Sequence, residues 1–296
     1  MSNSRLVPSG SEALFQCSNL PARRPIHGKN AFAGEIDAMN YAFVREGVIS
    51  RHQVLSPAMP APQARGRCAL VIMTKAPRAG YVKTRLSPPL TPTQAAALNV
   101  CFLRDISCSI EQAGPPGQGI ACYTPVGQED DYCEVLPSSF QLLAQREGNI
   151  GQRLTGAIED LLTMGFASVC LINSDSPTVP ASSFQRAIEI LCEPNESIVL
   201  GPSDDGGYYL IGMKKLYRRL FEQITWSTEK VFAQTLQRAS EIQVKVRFLP
   251  AAYDVDDRDA LERLCRDLLG PNKPNASKAP ATGEFLQRWM AGLVPS

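Results

Sequence analysis

The chain has 296 residues, 44% of them hydrophobic, and a formal net charge of +1. It is long enough for one large or two small domains with a real core, and its near-neutral balance argues against nucleic acid or an anionic membrane as the main partner. The longest apolar runs, such as residues 69–73, are strand-sized, and no apolar leader segment stands near the start, so neither a membrane span nor a secretory signal is expected and the chain reads as cytoplasmic.

Nine cysteines lie scattered without Cys-x-x-Cys spacing, most of them inside apolar segments, and are expected to be reduced thiols. The two histidines, His27 and His52, both precede the first predicted strand. Unless that tail folds back, histidine-based catalysis and histidine metal sites are excluded from the main domain.

Residues 1–66 are rich in Pro, Ser, Arg and Ala and hold no persistent period, so a poorly structured N-terminal extension is expected. Residues 6–11 and 12–16 faintly resemble the protease-cleavage linkers of expression vectors, but each differs from the usual linker, so a natural tail or a mis-assigned start codon is an equal alternative, and the segment is set aside from fold reasoning. From Cys68 to Thr74 a continuous apolar run predicts a strand buried on both faces. A basic loop follows, and Thr91-Pro92 opens a helix with an N-cap and Pro at its first position, carrying Leu98, Phe102 and Ile106 on one face.

The alternation continues with strands near residues 119–124 and 140–144, then a helix from Ile150 with Leu154, Ala157, Ile158, Leu161 and Leu162 on one stripe. A buried strand over residues 168–173 runs into Ser174-Asp175-Ser176-Pro177, and a helix carries Phe184, Ala187, Ile188 and Leu191. After a strand from Ser197 come Gly201 to Gly212, Trp226-Ser227-Thr228, a helix to about Ala239, a strand near residues 244–249, and Tyr253 to Asp257 entering a last helix. Repeated strand, loop, helix units predict one α/β domain over residues 67–270, a mainly parallel sheet with helices on both faces. Residues 271–296 read as a linker with a short helical tail around Phe285, Trp289 and Met290.

Ligands of an open parallel sheet bind at the carboxyl ends of its strands, where four of these loops collect. Lys75, Arg78, Lys83 and Arg85, around Pro77 and Gly80, would neutralise a diphosphate or triphosphate, although four loop cations can also be a solvated surface. The loop is neither a Walker A nor a Rossmann fingerprint. Asp175 at a strand end suits a divalent cation, Mg or Mn, bridging to phosphate oxygens; the alternative is a helix N-cap. Asp254 and Asp256, one residue apart in an extended segment, share a face and could add metal carboxylates, unless Asp256 or Asp257 caps the last helix.

Asp204-Asp205-Gly206-Gly207-Tyr208 offers an adjacent acidic pair and glycines that admit close backbone approach, or else a hairpin turn. Successive residues of an extended strand face opposite ways, so either aspartate could be the catalytic one. Trp226 is more often a core residue than a base-stacking platform, and only its company recommends it.

Lys-Ala-Pro-x-x-Gly-x-x-Lys-Thr-Arg-Leu (Lys75 to Leu86), Ser-Asp-x-Pro from Ser174, Gly-Pro-x-Asp-Asp-Gly-Gly-Tyr-Tyr-Leu-Ile-Gly from Gly201, Trp-Ser-Thr from Trp226 and Asp-Val-Asp from Asp254 occur in that order. Together, over roughly Cys68 to Gly270, they resemble the radical-SAM/selenodomain-associated transferases, a glycosyltransferase-like family related to the guanylyltransferase of deazaflavin cofactor synthesis. The resemblance implies the GT-A fold of nucleotide-diphospho-sugar transferases and a divalent metal. It sets Asp175 at the metal and Lys75, Lys83 and Arg85 in the nucleotide-phosphate loop. The family tends to have Asp-Leu-Gly-x-Arg where this chain has Asn149 to Arg153, glycine where it has Asn173, and an acid where it has Ala260.

Two activities are expected from these residues. In the first, a glycosyltransferase moves a sugar from a nucleotide-diphospho-sugar to a small-molecule acceptor, with Asp204 or Asp205 as general base, Asp175 with Asp256 and Asp254 at the metal, and Lys75, Pro77, Gly80, Lys83, Arg85, Gly206, Gly207, Tyr208 and Trp226 around the nucleotide. In the second, a nucleotidyltransferase joins a nucleoside triphosphate to a phosphorylated small molecule, and needs no general base because a phosphate nucleophile is already ionised. A catalytically dead nucleotide-sensing or scaffold protein is the remaining alternative.

Overall fold

A computed structural model of the protein describes residues 52–59, 61–271 and 277–295. Its centre is an eight-stranded sheet formed by β1 (Gln53–Leu55), β2 (Cys68–Lys75), β3 (Gly117–Thr124), β4 (Gln141–Ala144), β5 (Ser168–Ile172), β6 (Ser197–Pro202), β7 (Tyr208–Met213) and β8 (Lys245–Phe248). They lie side by side in the order β1-β4-β3-β2-β5-β7-β6-β8. Every pairing is parallel except those of β7, which runs antiparallel to β5 and β6.

The helices are α1 (Pro92–Ala113), α2 (Ile150–Thr163), α3 (Ala181–Cys192), α4 (Val231–Glu241), α5 (Arg258–Leu269) and α6 (Pro280–Met290). The α1 start is as the sequence predicts: Thr91 accepts from the Gln94 N–H, the Gln94 side chain returns to the Thr91 N–H, and Pro92 fills the first position. At α2 the same capping box is made by Asn149 and Gln152. Asn149 is thus a full N-cap, since Asn and Asp cap equally well.

Strand β2 shows why the sheet is covered twice. Leu70 and Ile72 pack with Ile106 of α1 and Phe184 of α3 on one face, while Ala69 and Val71 pack with Ile158 and Leu161 of α2 on the other. Each such buried leucine, isoleucine or phenylalanine contributes about 1.5–3 kcal/mol. A third cluster joins Leu98 and Phe102 of α1 to Leu264 of α5 and Phe285 of α6. Helix α6 is held by hydrogen bonds as well: the N–H groups of Ala281 and Thr282 donate to the two oxygens of Asp105 at 2.9 and 2.8 Å.

Part of the stretch expected to be poorly structured is ordered. Gln53–Leu55 pairs with β4 at the sheet edge, and the buried His52 ring lies 3.1 and 3.2 Å from the carbonyl oxygens of Phe140 and Tyr132, a packing role. Three residues are too few for periodicity to reveal. His27 and the linker-like segments lie outside the described residues. Among the described residues the eight cysteines form no disulfide, and no helix is long and apolar enough to cross a membrane.

Strand order places the ligand edge. From β2 the chain moves outward through β3 and β4, then returns to the other side of β2 as β5. The loops leaving β2 and β5 therefore part in opposite directions and open a crevice at the strands' carboxyl ends. Because β7 is antiparallel, its beginning lies at that same edge, which carries the β6–β7 hairpin there too.

Candidate active site

Two cavities open along this edge and share Met73, Arg85, Ile150, Leu154, Asp175 and Asp256. The first, about 370 Å³, is walled by the loop after β2 and the ends of β3 and β4. The second, about 600 Å³, is walled by the hairpin and by Trp226 to Glu229. They are two lobes of one cleft.

Charge divides them. The first lobe has the cations Lys75, Lys83, Arg85 and Arg153 with the carboxylates Asp175 and Asp256. The second has Asp175, Asp205, Glu229, Asp254 and Asp256 against the single cation Arg85.

Of the basic loop, Lys75 and Arg85 line the first lobe. Pro77 and Gly80 do not line it; Gly80 shapes the loop, its φ of +79° allowing the turn in which Tyr81 N–H donates to Arg78 O at 3.0 Å. Arg78 is diverted to Asp131, Nε to Oδ2 at 2.7 Å. Arg153, on the first turn of α2, takes a place in the lobe instead. Pattern alone did not separate it from an ordinary solvent-facing helix cation.

Lys83 also lines the first lobe, but its ammonium is engaged by the chain itself. Its Nζ lies 2.6 Å from Asp175 Oδ1 and 2.9 Å from Asp256 Oδ1, and donates to Val255 O at 2.8 Å. Burial alone would lower its pKa, yet the two carboxylates outweigh that and raise it.

The carboxylates sort by partner. Asp175 does not cap α3, whose N-cap is Pro180 without a side-chain bond. Asp257 caps α5 by accepting from the Ala260 N–H, which leaves Asp256 turned to Lys83. Asp254 stands apart: its Oδ1 accepts from Asn173 Nδ2 at 3.0 Å, Ser176 Oγ at 2.8 Å and Ser203 Oγ at 2.7 Å. Burial holds its carboxyl up at about 6 against those hydrogen bonds. One oxygen thus ties the ends of β5 and β6 to the segment after β8, and Asn173 supplies a side-chain donor that glycine would lack.

The expected three-carboxylate metal set therefore contracts. Among the described residues no group of three or more His, Cys, Asp or Glu has the arrangement of a metal site. Asp175 and Asp256 do fit a divalent cation, because with the Val255 carbonyl they already present three hard oxygens to one cationic centre, the Lys83 ammonium.

The hairpin resolves its own ambiguity: it is both a turn and a wall of the cleft. Asp205 faces the second lobe, and its Oδ1 accepts from the Gly207 N–H at 2.8 Å, which orients the carboxylate. Asp204 points to the opposite side, where its Oδ2 pairs with Arg263 Nη1 at 2.7 Å in a separate cavity. Gly206 has φ +86°, and a Cβ there would lie 2.3 Å from the Glu229 carbonyl oxygen, so this residue must be glycine for the hairpin to seat against the Trp226–Glu229 segment. Gly207, Tyr208 and Trp226, expected around the nucleotide, line the second lobe, and Gly206 lines neither. Trp226 also packs on the core cluster beneath the sheet, so the core reading of it holds while it lines the cleft as well.

Comparison with known proteins agrees with this architecture. Residues 112–228 match a family of uncharacterised proteins conserved in bacteria, DUF2064. The chain is similar in structure to a Desulfovibrio desulfuricans G20 protein whose assignment as a nucleotide-diphospho-sugar transferase is provisional: 27% identity, TM-score 0.67, covering 76% of this chain and 95% of that one. A cytidylyltransferase from Leptospira borgpetersenii serovar Hardjo-bovis is similar at 10% identity and TM-score 0.45, with 76% of this chain and 94% of that chain covered. A Mycobacterium tuberculosis H37Rv protein solved in complex with manganese is similar at 15% identity and TM-score 0.43, with 68% and 98% covered. No curated protein matches the sequence. The first likeness carries the fold, that of nucleotide-diphospho-sugar transferases, and the transferase class.

Proposed function

We propose that the protein is a metal-dependent glycosyltransferase that moves a sugar from a nucleotide-diphospho-sugar to the hydroxyl of a small, unphosphorylated acceptor in the cytoplasm. The observation that carries this reading is the charge division of the cleft. A diphosphate has its counter-ions in the first lobe, on Lys75, Arg85 and Arg153. Of the five carboxylates lining the second lobe, Asp175 and Asp256 are already paired with Lys83, which leaves Asp205, Glu229 and Asp254 against one arginine; a phosphorylated acceptor or a nucleic acid there would meet repulsion of about 2–3 kcal/mol per charge pair ~6 Å apart.

In the reaction, Asp205 takes the proton of the acceptor hydroxyl through the carboxylate oxygen not engaged by Gly207. The acceptor oxygen bonds to the sugar's anomeric carbon as the bond from that carbon to the diphosphate breaks. Lys75, Arg85 and Arg153 face the negative charge that grows on the leaving nucleoside diphosphate. A divalent cation on Asp175 and Asp256, magnesium or manganese, would supply Lewis-acid stabilisation of that charge. Asp254 keeps Asp175 and Asp256 in register through its three hydrogen bonds, and Trp226 offers the sugar or acceptor an apolar face. The five motifs support affiliation with the radical-SAM/selenodomain-associated transferases.

One observation favours a second reading, nucleotidyl transfer: Lys75, Arg85 and Arg153, gathered in the first lobe, also suit a triphosphate. Incubation with a panel of nucleotide sugars and nucleoside triphosphates plus manganese separates the two. Release of nucleoside diphosphate from a nucleotide sugar supports glycosyl transfer, and pyrophosphate release from a triphosphate overturns it in favour of the second.

A further inference from the structure

The cation position between Asp175 and Asp256 is filled by the chain itself. The Lys83 ammonium has three N–H donors and meets three oxygens, Asp175 Oδ1 at 2.6 Å, Val255 O at 2.8 Å and Asp256 Oδ1 at 2.9 Å. Its side chain is 4% exposed, and Nζ lies 5.2 Å from the centroid of the Phe102 ring. Lys83 reaches this place from a left-handed backbone, φ 49° and ψ 37°, a conformation disfavoured for any residue with a Cβ. Such a fully engaged, strained lysine in the middle of a cleft is more than a surface ion pair.

A divalent ion in contact with both carboxylates would lie within ~4 Å of that ammonium, so the two cations cannot share the position. The ammonium cannot simply withdraw, because a buried cation without partners is strongly disfavoured. Phosphate oxygens brought into the first lobe, which Lys83 also lines beside Lys75 and Arg85, supply the missing partners.

We propose that Lys83 is a resident counter-ion: it holds Asp175 and Asp256 together in the ligand-free protein, excludes a free divalent ion, and passes its ammonium to the nucleotide's phosphates when metal and nucleotide enter together. This rests on the reading of Asp175 and Asp256 as metal carboxylates. It unites the two cation roles that the sequence left separate, and it orders binding, since the metal enters as its nucleotide complex.

The test is a titration of the full chain with manganese, followed by the electron paramagnetic resonance signal of the free ion, with and without a nucleoside diphosphate. Lys83→Met keeps the stem over Phe102 and removes the charge. Without nucleotide it is expected to bind manganese roughly tenfold or more tightly than wild type, whereas the manganese–nucleoside diphosphate complex binds roughly tenfold more weakly. These opposite signs are what a merely structural salt bridge would not give. Circular dichroism establishes that the variant is folded, and Lys83→Gln, which retains a neutral donor, decides the matter if Lys83→Met does not fold. A folded variant that binds free manganese no better than wild type overturns the proposal. Failure of the underlying metal assignment looks different: Asp175→Asn would then hold as much manganese as wild type with nucleotide present, and both readings fall.

Discussion

Ser203 donates to Asp254 at 2.7 Å, a bond that ties the end of β6 to the segment carrying Asp256. With Asn173 and Ser176 on the same carboxylate oxygen, Asp254 gathers three loops around one acceptor. Asp254→Ala leaves three inward donors without a partner and is expected to cost about 2–4 kcal/mol in urea unfolding. Asp254→Asn keeps an acceptor oxygen and sheds the buried charge, so it should stay within about 1 kcal/mol of wild type. Equal losses for the two would show that the three hydrogen bonds are not what the residue supplies.

A pH dependence follows from Asp105, which is 2% exposed. Burial raises its carboxyl to about 6, against the N–H bonds from α6 that oppose the shift. A carboxyl whose folded pKa lies above its unfolded value near 3.9 contributes stability that is full below about pH 4 and lost as the pH rises through about 6. Asp254, also raised to about 6, acts in the same direction. The urea midpoint should therefore climb as the pH falls from 7.5 to 5, and Asp105→Asn should remove about half of that climb. A variant with the wild-type pH profile would show that Asp105 does not titrate in this window.

Two glycines with similar dihedral angles should respond differently to alanine. Gly80 has φ +79° with open space around it, so Gly80→Ala is expected to cost only the left-handed penalty of about 1–2 kcal/mol. At Gly206 the added Cβ would lie 2.3 Å from backbone oxygen, and the hairpin must move. Gly206→Ala should lose more stability than Gly80→Ala and should shift Trp226 fluorescence, because Glu229 belongs to the same cleft wall. Matching losses with unchanged fluorescence would contradict the tight seating of the turn.

How far the sequence foretold this arrangement depends on the range of the interaction. Local patterns were legible: the Thr91 cap, the α2 stripe and the buried runs of β2 and β5 all lie where periodicity and capping chemistry place them. So was the gathering of loops at one edge, because parallel sheets bring strand ends together. Pairing across 100 or more residues was not. Lys83 belongs to the basic loop by sequence yet spends its charge on Asp256, a partner 173 positions away, and nothing in either segment announces it. The hairpin's two aspartates could not be separated from alternation alone; Arg263 on α5 and the Gly207 N–H decide their directions. The antiparallel β7 and the three-residue β1 were missed as such, the one because a buried strand looks alike in either direction, the other because it is too short to show a period.

The most direct test of the account is a comparison of Asp204→Asn with Asp205→Asn, read as nucleoside diphosphate released from a nucleotide sugar and as donor affinity in parallel. Asp205→Asn is expected to lower turnover by about 10²–10⁴ with donor affinity near wild type, while Asp204→Asn, which loses only an exposed ion pair to Arg263, keeps its turnover. Full turnover in Asp205→Asn, or a comparable loss in Asp204→Asn, would contradict it.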